Sequence, residues 1–148
     1  MPRFASILAA GSVLLTAGAA TSQTAPAIFD MKGDWKGYNE AIVHGPATHH
    51  PQGATAKPAG EYRLRQLNVI YRFDGQDGRR FWGTMISEHQ ANIRMIGSMS
   101  VDGKWIYMVG KDGYVDGQVI DADTIEACYR HAHADSAVVA CNLMKREK

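Results

Sequence analysis

From Gly33 to Arg146 apolar residues recur at about every second position, and no stretch keeps a helical period over three turns. Such alternation marks strands that turn one face to a core and the other outward. Eight runs fit the pattern, at 33–44, 61–73, 79–89, 92–100, 104–110, 113–121, 124–130 and 137–145. Between them stand Asp74-Gly75-Gln76-Asp77-Gly78, Asp102-Gly103, Asp112-Gly113 and Asp121-Ala122-Asp123. These residue types accept the positive φ of tight hairpin turns, so successive strands are expected to be antiparallel neighbours. In the second run Tyr62 and Leu64 are out of phase with Leu67, Val69, Tyr71 and Phe73, which predicts a β-bulge there.

Eight hairpin-linked strands expose two edges unless the sheet closes on itself, and closure at eight leaves an interior that packs solid or holds one small ligand. The expected fold is therefore all-β: an antiparallel up-and-down eight-stranded barrel formed by residues 33–148. A two-sheet sandwich is the alternative that the same turn spacing permits. The last hairpin fixes a register. With its turn centred between Ala134 and Asp135, Cys128 falls opposite Cys141, as a disulfide requires. Ile125, Ala127, Tyr129, Val138, Ala140, Asn142 and Met144 then share the more apolar face, assigned to the interior. Glu126, Cys128, Arg130, Val139, Cys141 and Leu143 fall on the outer wall.

The segments before and between the strands differ in kind. Arg3 followed by the uncharged, apolar run Phe4 to Ala20, ending in small residues, reads as a secretory signal peptide over 1–22. The run is broken by Gly and Ser and no basic cluster follows it, so a stable membrane anchor is not expected. Export places the chain in the periplasm or outside the cell, where Cys128 and Cys141 oxidise. Residues 23–32 read as a flexible lead-in. Gly45 to Gly60, GPATHHPQGATAKPAG, has no periodicity and is expected to be a long loop covering the barrel mouth or meeting a protein partner.

The chain has 16 Lys and Arg against 15 Asp and Glu, and losing Arg3 with the leader brings the mature domain to neutrality. Without a basic stripe, nucleic acid is not an expected partner. His44, His49 and His50 lie in or beside the long loop, and His131 and His133 flank the last turn. Imidazoles at i and i+2 on a strand face one way, so His131 and His133 are the pair that could hold a metal. No Cys-x-x-Cys, H-E-x-x-H or carboxylate cluster accompanies them, and neither metal nor cofactor is expected. Glu88-His89 and Tyr129-Arg130-His131 supply acid, base and cation types at strand ends, yet no nucleophile elbow or phosphate loop is present. No catalytic residue is assigned.

Gly33-Asp34-Trp35, opening the first strand, resembles the G-x-W of the calycin barrels, the lipocalins and avidins, whose Trp closes one end of the barrel. In lipocalins a basic side chain from the end of the last strand covers that Trp, and Lys145 or Arg146 stands at the comparable place. The resemblance implies architecture, a structural role for Gly33, Trp35 and Arg146, and a binding role without ligand identity.

Met85, Met95, Met99 and Met108 lie in three successive strands near Tyr71, Phe81, Trp82, Trp105 and Tyr107, and Met adapts to irregular shapes. The leading expectation is a barrel that binds a small, partly apolar molecule in its lumen without covalent chemistry. Tyr71, Trp82, Met85, Trp105, Tyr107 and Met108 are expected to line or flank that cavity. One alternative is an exported protein-binding or inhibitor module using 23–32 or the loop 45–60. Another is a small isomerase or lyase in the lumen, which requires His89 or His131 to face inward.

Overall fold

A computed structural model describes residues 27–45, 62–88 and 90–148. It contains β1 (Gly33–His44), β2 (Tyr62–Asp77), β3 (Arg80–Ser87), β4 (Gln90–Met99), β5 (Trp105–Val109), β6 (Tyr114–Asp121), β7 (Thr124–Ala132) and β8 (Ala137–Arg146). Each strand pairs with the next, and β1 also pairs with β8, so the sheet closes as an antiparallel up-and-down barrel. Closure excludes the sandwich. A closed eight-stranded antiparallel barrel is the architecture that the resemblance at Gly33-Asp34-Trp35 implies.

Following outward-facing partners once round shows how the strands tilt. Gly75 pairs with Trp82, then Ile96, Val109, Tyr114, Arg130, Val139 and Ile42 follow, and the path returns to β2 at Leu64. That stagger along β2 is the shear that an eight-stranded barrel needs in order to close.

Two expectations about β2 fail. The register from Gly33↔Phe73 to His44↔Tyr62 runs without a shift, so no bulge separates Tyr62 and Leu64 from the rest. Those two side chains face solvent, while Arg63 and Arg65 take the inward positions. The bulge lies at the other end, between Phe73 and Gly75, and the strand continues through the predicted turn as far as Asp77. Gly78, at φ 56°, makes the reversal instead.

The lower half of the barrel, where β1 begins, is packed solid. Trp35, Phe73, Phe81, Met99, Ile106, Ile125 and Met144 fill it, with Phe73 and Phe81 edge to face at 5.0 Å between centroids. Large side chains rest on inward glycines: a Cβ at Gly97 would collide with the Phe81 ring, and one at Gly37 with Met144. Alternation of small and large residues lets eight tapering strands share a narrow interior.

The flexible lead-in expected over 23–32 is, in its described part, the base plug. Met31 is fully buried, its N–H donates to Gln76 Oε1 at 2.7 Å, and its carbonyl accepts from Trp35 Nε1 at 2.8 Å. Gln76 Nε2 donates back to the Phe29 carbonyl at 2.9 Å. Arg146 lies 4.2 Å from the Trp35 ring centroid and donates to the Lys32 and Asp30 carbonyls at 2.6 Å each. Residues of the segment without strand periodicity are thus held by side chains from β2 and β8.

The disulfide joins Cys128 to Cys141, directly paired residues of β7 and β8, on the outer wall. Asp34 receives both arms of the Arg72 guanidinium, at 2.7 and 2.8 Å, across the β1–β2 pair. Among the described residues no helix is long and apolar enough to cross a membrane.

Candidate functional site

The upper half of the lumen, at the ends where β1 finishes and β2 starts, is hollow. Its inner wall on β1 and β8 is built from short side chains: Ala41 pairs with Ala140 and Val43 with Val138. Leu67, Val69 and Tyr71 of β2, Met85 of β3, and Ile93 and Met95 of β4 form the opposite wall. Val115 and Tyr129 complete the circuit. The cavity leaves about 100 Å³ to the centres of water-sized molecules. One water takes roughly 10–15 Å³ on that measure, so a guest with on the order of ten non-hydrogen atoms fits.

Polar groups enter this apolar space at few points. Asn39, Ser87, Arg65 and Asp112 reach the cavity along with the Tyr71 and Tyr129 side chains. Stepping back by twos along β2 from Phe73 through Tyr71, Val69 and Leu67 lands on Arg65 and then Arg63, which is 7% exposed. Arg63 Nη2 donates to the Gly45 carbonyl at 2.6 Å, which fixes it at the rim. Arg65 is held below the usual guanidinium range, first by burial and then by the like charge of Arg63.

On the far wall the Tyr129 hydroxyl is 2.7 Å from His131 Nδ1 and donates more distantly to the Asp112 carbonyl, at 3.4 Å. Burial, and then the Asp112 carboxylate, push the Tyr129 phenol up to about 12. Tyr71 is raised as well, by burial and then by Tyr129. Both phenols therefore stay protonated at neutral pH and offer hydrogen bonds rather than charge.

Three of the sequence-predicted lining residues lie elsewhere. Trp82 (47% exposed), Trp105 and Tyr107 are on the outer wall, because Phe81, Ile106 and Met108 between or beside them take the inward positions. Trp82 covers the bulged Gly75, where a Cβ would meet its indole. With Ile96, Val109 and Tyr114 it forms an exposed apolar row across β3 to β6. Tyr71 and Met85 do line the cavity; Met108 faces inward but belongs to the packed core. Arg65, Leu67, Ile93 and Met95 are cavity residues to which no site role was assigned from sequence, and the phase of β2 alone would have located the arginine.

His131 is buried on the inner face and its ring centroid is 5.2 Å from that of His133. Among the described residues no three His, Cys, Asp or Glu come together as metal ligands. His49, His50, His89 and all but Gly45 of the loop 45–60 lie outside the described residues.

No protein-family model matches the chain and no curated protein sequence does. Among solved structures, an S-type phycobiliprotein lyase, CPES, from Guillardia theta aligns over 80% of this chain and 89% of its own, at 10% identity and a TM-score of 0.32. A likeness this loose carries no argument, and the fold rests on the strand pairing itself.

Proposed function

We propose that this is an exported barrel that takes a small, largely apolar molecule into the open half of its lumen and holds it without covalent chemistry. The carrying observation is the contrast between the two halves: one packed to the base, the other hollow behind a wall of aliphatic and methionine side chains. Ligand sites are concave and mostly apolar, with a few placed polar groups. Met85 and Met95 supply the adaptable surface that such a guest requires. The apolar leader over 1–22 and the Cys128–Cys141 disulfide support export.

Catalysis is the poorer reading of the same space. Tyr129 and His131 are the nearest approach to a proton-transfer pair, but a phenol pushed up to about 12 is far from the operating range of a general acid or base at neutral pH.

The tryptophans lie at the base or on the outer wall, so their emission is a poor reporter of lumen occupancy. Methionine methyl resonances are better placed. On titration with octan-1-ol or toluene, Met85 and Met95 are expected to shift while Met31, Met99 and Met144, sealed in the lower half, stay still. Ala140→Phe, which fills the cavity from β8, is expected to abolish the response. Silence from Met85 and Met95 up to the solubility of both probes, or equal shifts at all five methionines, overturns the proposal.

A further inference from the structure

We propose that the outer wall of β3 to β6 is where a second copy of this chain docks, about a two-fold axis running along the β4–β5 seam. This surface lies outside the lumen and is independent of what the lumen holds.

Six large apolar side chains stand together on that wall. Trp82, Ile96, Val109 and Tyr114 are successive partners across the four strands, and Tyr107 and Trp105 continue the outward face of β5. Every one of them is exposed, Val109 least, at 40%. With roughly 150–250 Å² for a whole aromatic side chain, the six present on the order of 600 Å² to solvent. A monomer's largest apolar patch is usually about 300–600 Å², so this one stands at the upper end. It supplies most of the roughly 800 Å² that each partner buries in a stable interface of standard size. In the first row the longer side chains, Trp82 and Tyr114, stand on the outer strands, with the shorter Ile96 and Val109 between them. That order flattens a wall that barrel curvature would leave convex.

The register makes the face complementary to itself. A two-fold axis along the seam lays β3 of one copy on β6 of the other, and β4 on β5. Trp82 then meets Tyr114, and Ile96 meets Val109. In the neighbouring row Arg80, Ser98, Tyr107 and Asp116 are successive partners, so Arg80 meets Asp116 and Tyr107 meets Ser98 of the second copy. A groove runs along β4 over Ile96 and Ser98, walled by Trp82 and Arg80 on one side and by Tyr107 and Val109 on the other. Each copy thus offers one ring, Tyr107, and one groove to receive it. At the edges Arg80 pairs with Asp77 and Asp116 with Arg130, and contact between copies joins the two pairs into one network of alternating sign. An axis across the strands would instead lay β3 on β3 and set Arg80 against Arg80 or against Trp82. Apolar centre and charged edge are the anatomy of a protein interface.

Sedimentation equilibrium of the intact protein reads the assembly directly. Wild type is expected to be a dimer at roughly 100 μM, where an association with a micromolar constant is nearly complete. Ile96→Glu changes an outward position and leaves the core untouched; it is expected to weaken the dimer at least tenfold with an unaltered circular dichroism spectrum. The axis is tested by charge. Arg80 and Asp116 are three strand spacings apart in one chain, roughly 14 Å, so coupling between them in dimer affinity arises between copies. At low salt Arg80→Glu is expected to weaken the dimer about tenfold, and Asp116→Lys added to it is expected to restore affinity to within about threefold of wild type. A monomeric wild type at that concentration overturns the proposal without any variant having to fold. A dimer that Ile96→Glu leaves intact, or a double charge variant weaker than Arg80→Glu alone, overturns it as well. Monomer that floats with phosphatidylglycerol vesicles assigns the face to a membrane and has the same effect.

Discussion

Replacing Arg146 by alanine tests how the base of the barrel is held. The side chain is 19% exposed, lies over the Trp35 ring, and donates to two carbonyls of the plug at 2.6 Å. A partly desolvated cation–π contact contributes roughly 0.5–2 kcal/mol. Each hydrogen bond from a charged donor contributes about 1.5–3 kcal/mol, less where the freed carbonyl regains water. Arg146→Ala therefore destabilises by about 2–4 kcal/mol, and Tm falls by on the order of 10 °C for a domain of this size. Arg146→Lys recovers less than half, because an ammonium cannot reach two carbonyls and lie flat on an indole at once. Urea unfolding followed by circular dichroism measures the loss. Hydrogen exchange of the Trp35 indole N–H, bonded to Met31, reports whether the plug opens first. If Arg146→Ala unfolds within about 0.5 kcal/mol of wild type and the indole exchanges no faster, the plug is not held by this residue and the account of the base is wrong.

Reducing the disulfide, or Cys128→Ala with Cys141→Ala, removes a link spanning 13 residues and is expected to cost roughly 2–3 kcal/mol in urea unfolding; an unchanged midpoint would mean the bond is absent from the exported protein. Arg72 holds the Asp34 carboxyl below the usual carboxylate range, so its stabilising effect is full above the ordinary Asp pKa and disappears as pH falls through the depressed folded value. Asp34→Asn should accordingly be less stable than wild type near pH 7 and converge with it in acid, and a difference that persists at the lowest pH would refute the pairing. At the alkaline end the sign reverses: a raised phenol contributes stability that is full below the unfolded tyrosine pKa and is lost as pH rises through the folded value, about 12 for Tyr129. Spectrophotometric titration should show two of the six tyrosines, Tyr71 and Tyr129, ionising only as the barrel unfolds; six equivalent titrations in a native circular dichroism background would contradict their burial.

Period-two alternation, glycine turns and a paired cysteine register made the barrel legible from sequence, including which face of β7 and β8 turns inward. What failed were positions where size was weighed above phase. Trp105 and Tyr107 are large, but Ile106 and Met108 alternate with them, and one strand cannot send neighbours to the same side. Trp82 points outward by the same alternation, since Phe81 beside it points in, and its ring covers Gly75, which the bulge leaves bare on the outer sheet. In β2 the apolar Tyr62 and Leu64, out of phase with Leu67 to Phe73, point to a bulge, but the register is unbroken and both side chains face solvent. The base plug was illegible for another reason: Phe29 and Met31 belong to no period, and their places depend on Gln76 and Arg146, far off in sequence.

The hollow half follows from how short residues are distributed. Below, an inward glycine faces a large partner: Gly37 meets Met144 and Gly97 meets Phe81. Above, short meets short, with Ala41 beside Ala140 and Val43 beside Val138 across the β1–β8 seam. Each methylene added there would bury apolar surface, contributing roughly 0.8 kcal/mol where it fits without strain. Nothing in strand geometry forbids the addition, since the lower half shows the same strands accommodating methionine and aromatic rings. A solid barrel was therefore within easy reach of this sequence. That this stability was forgone at one end of the lumen, along a wall left unfilled while the other end is packed solid, is why the hollow half is read as a binding site.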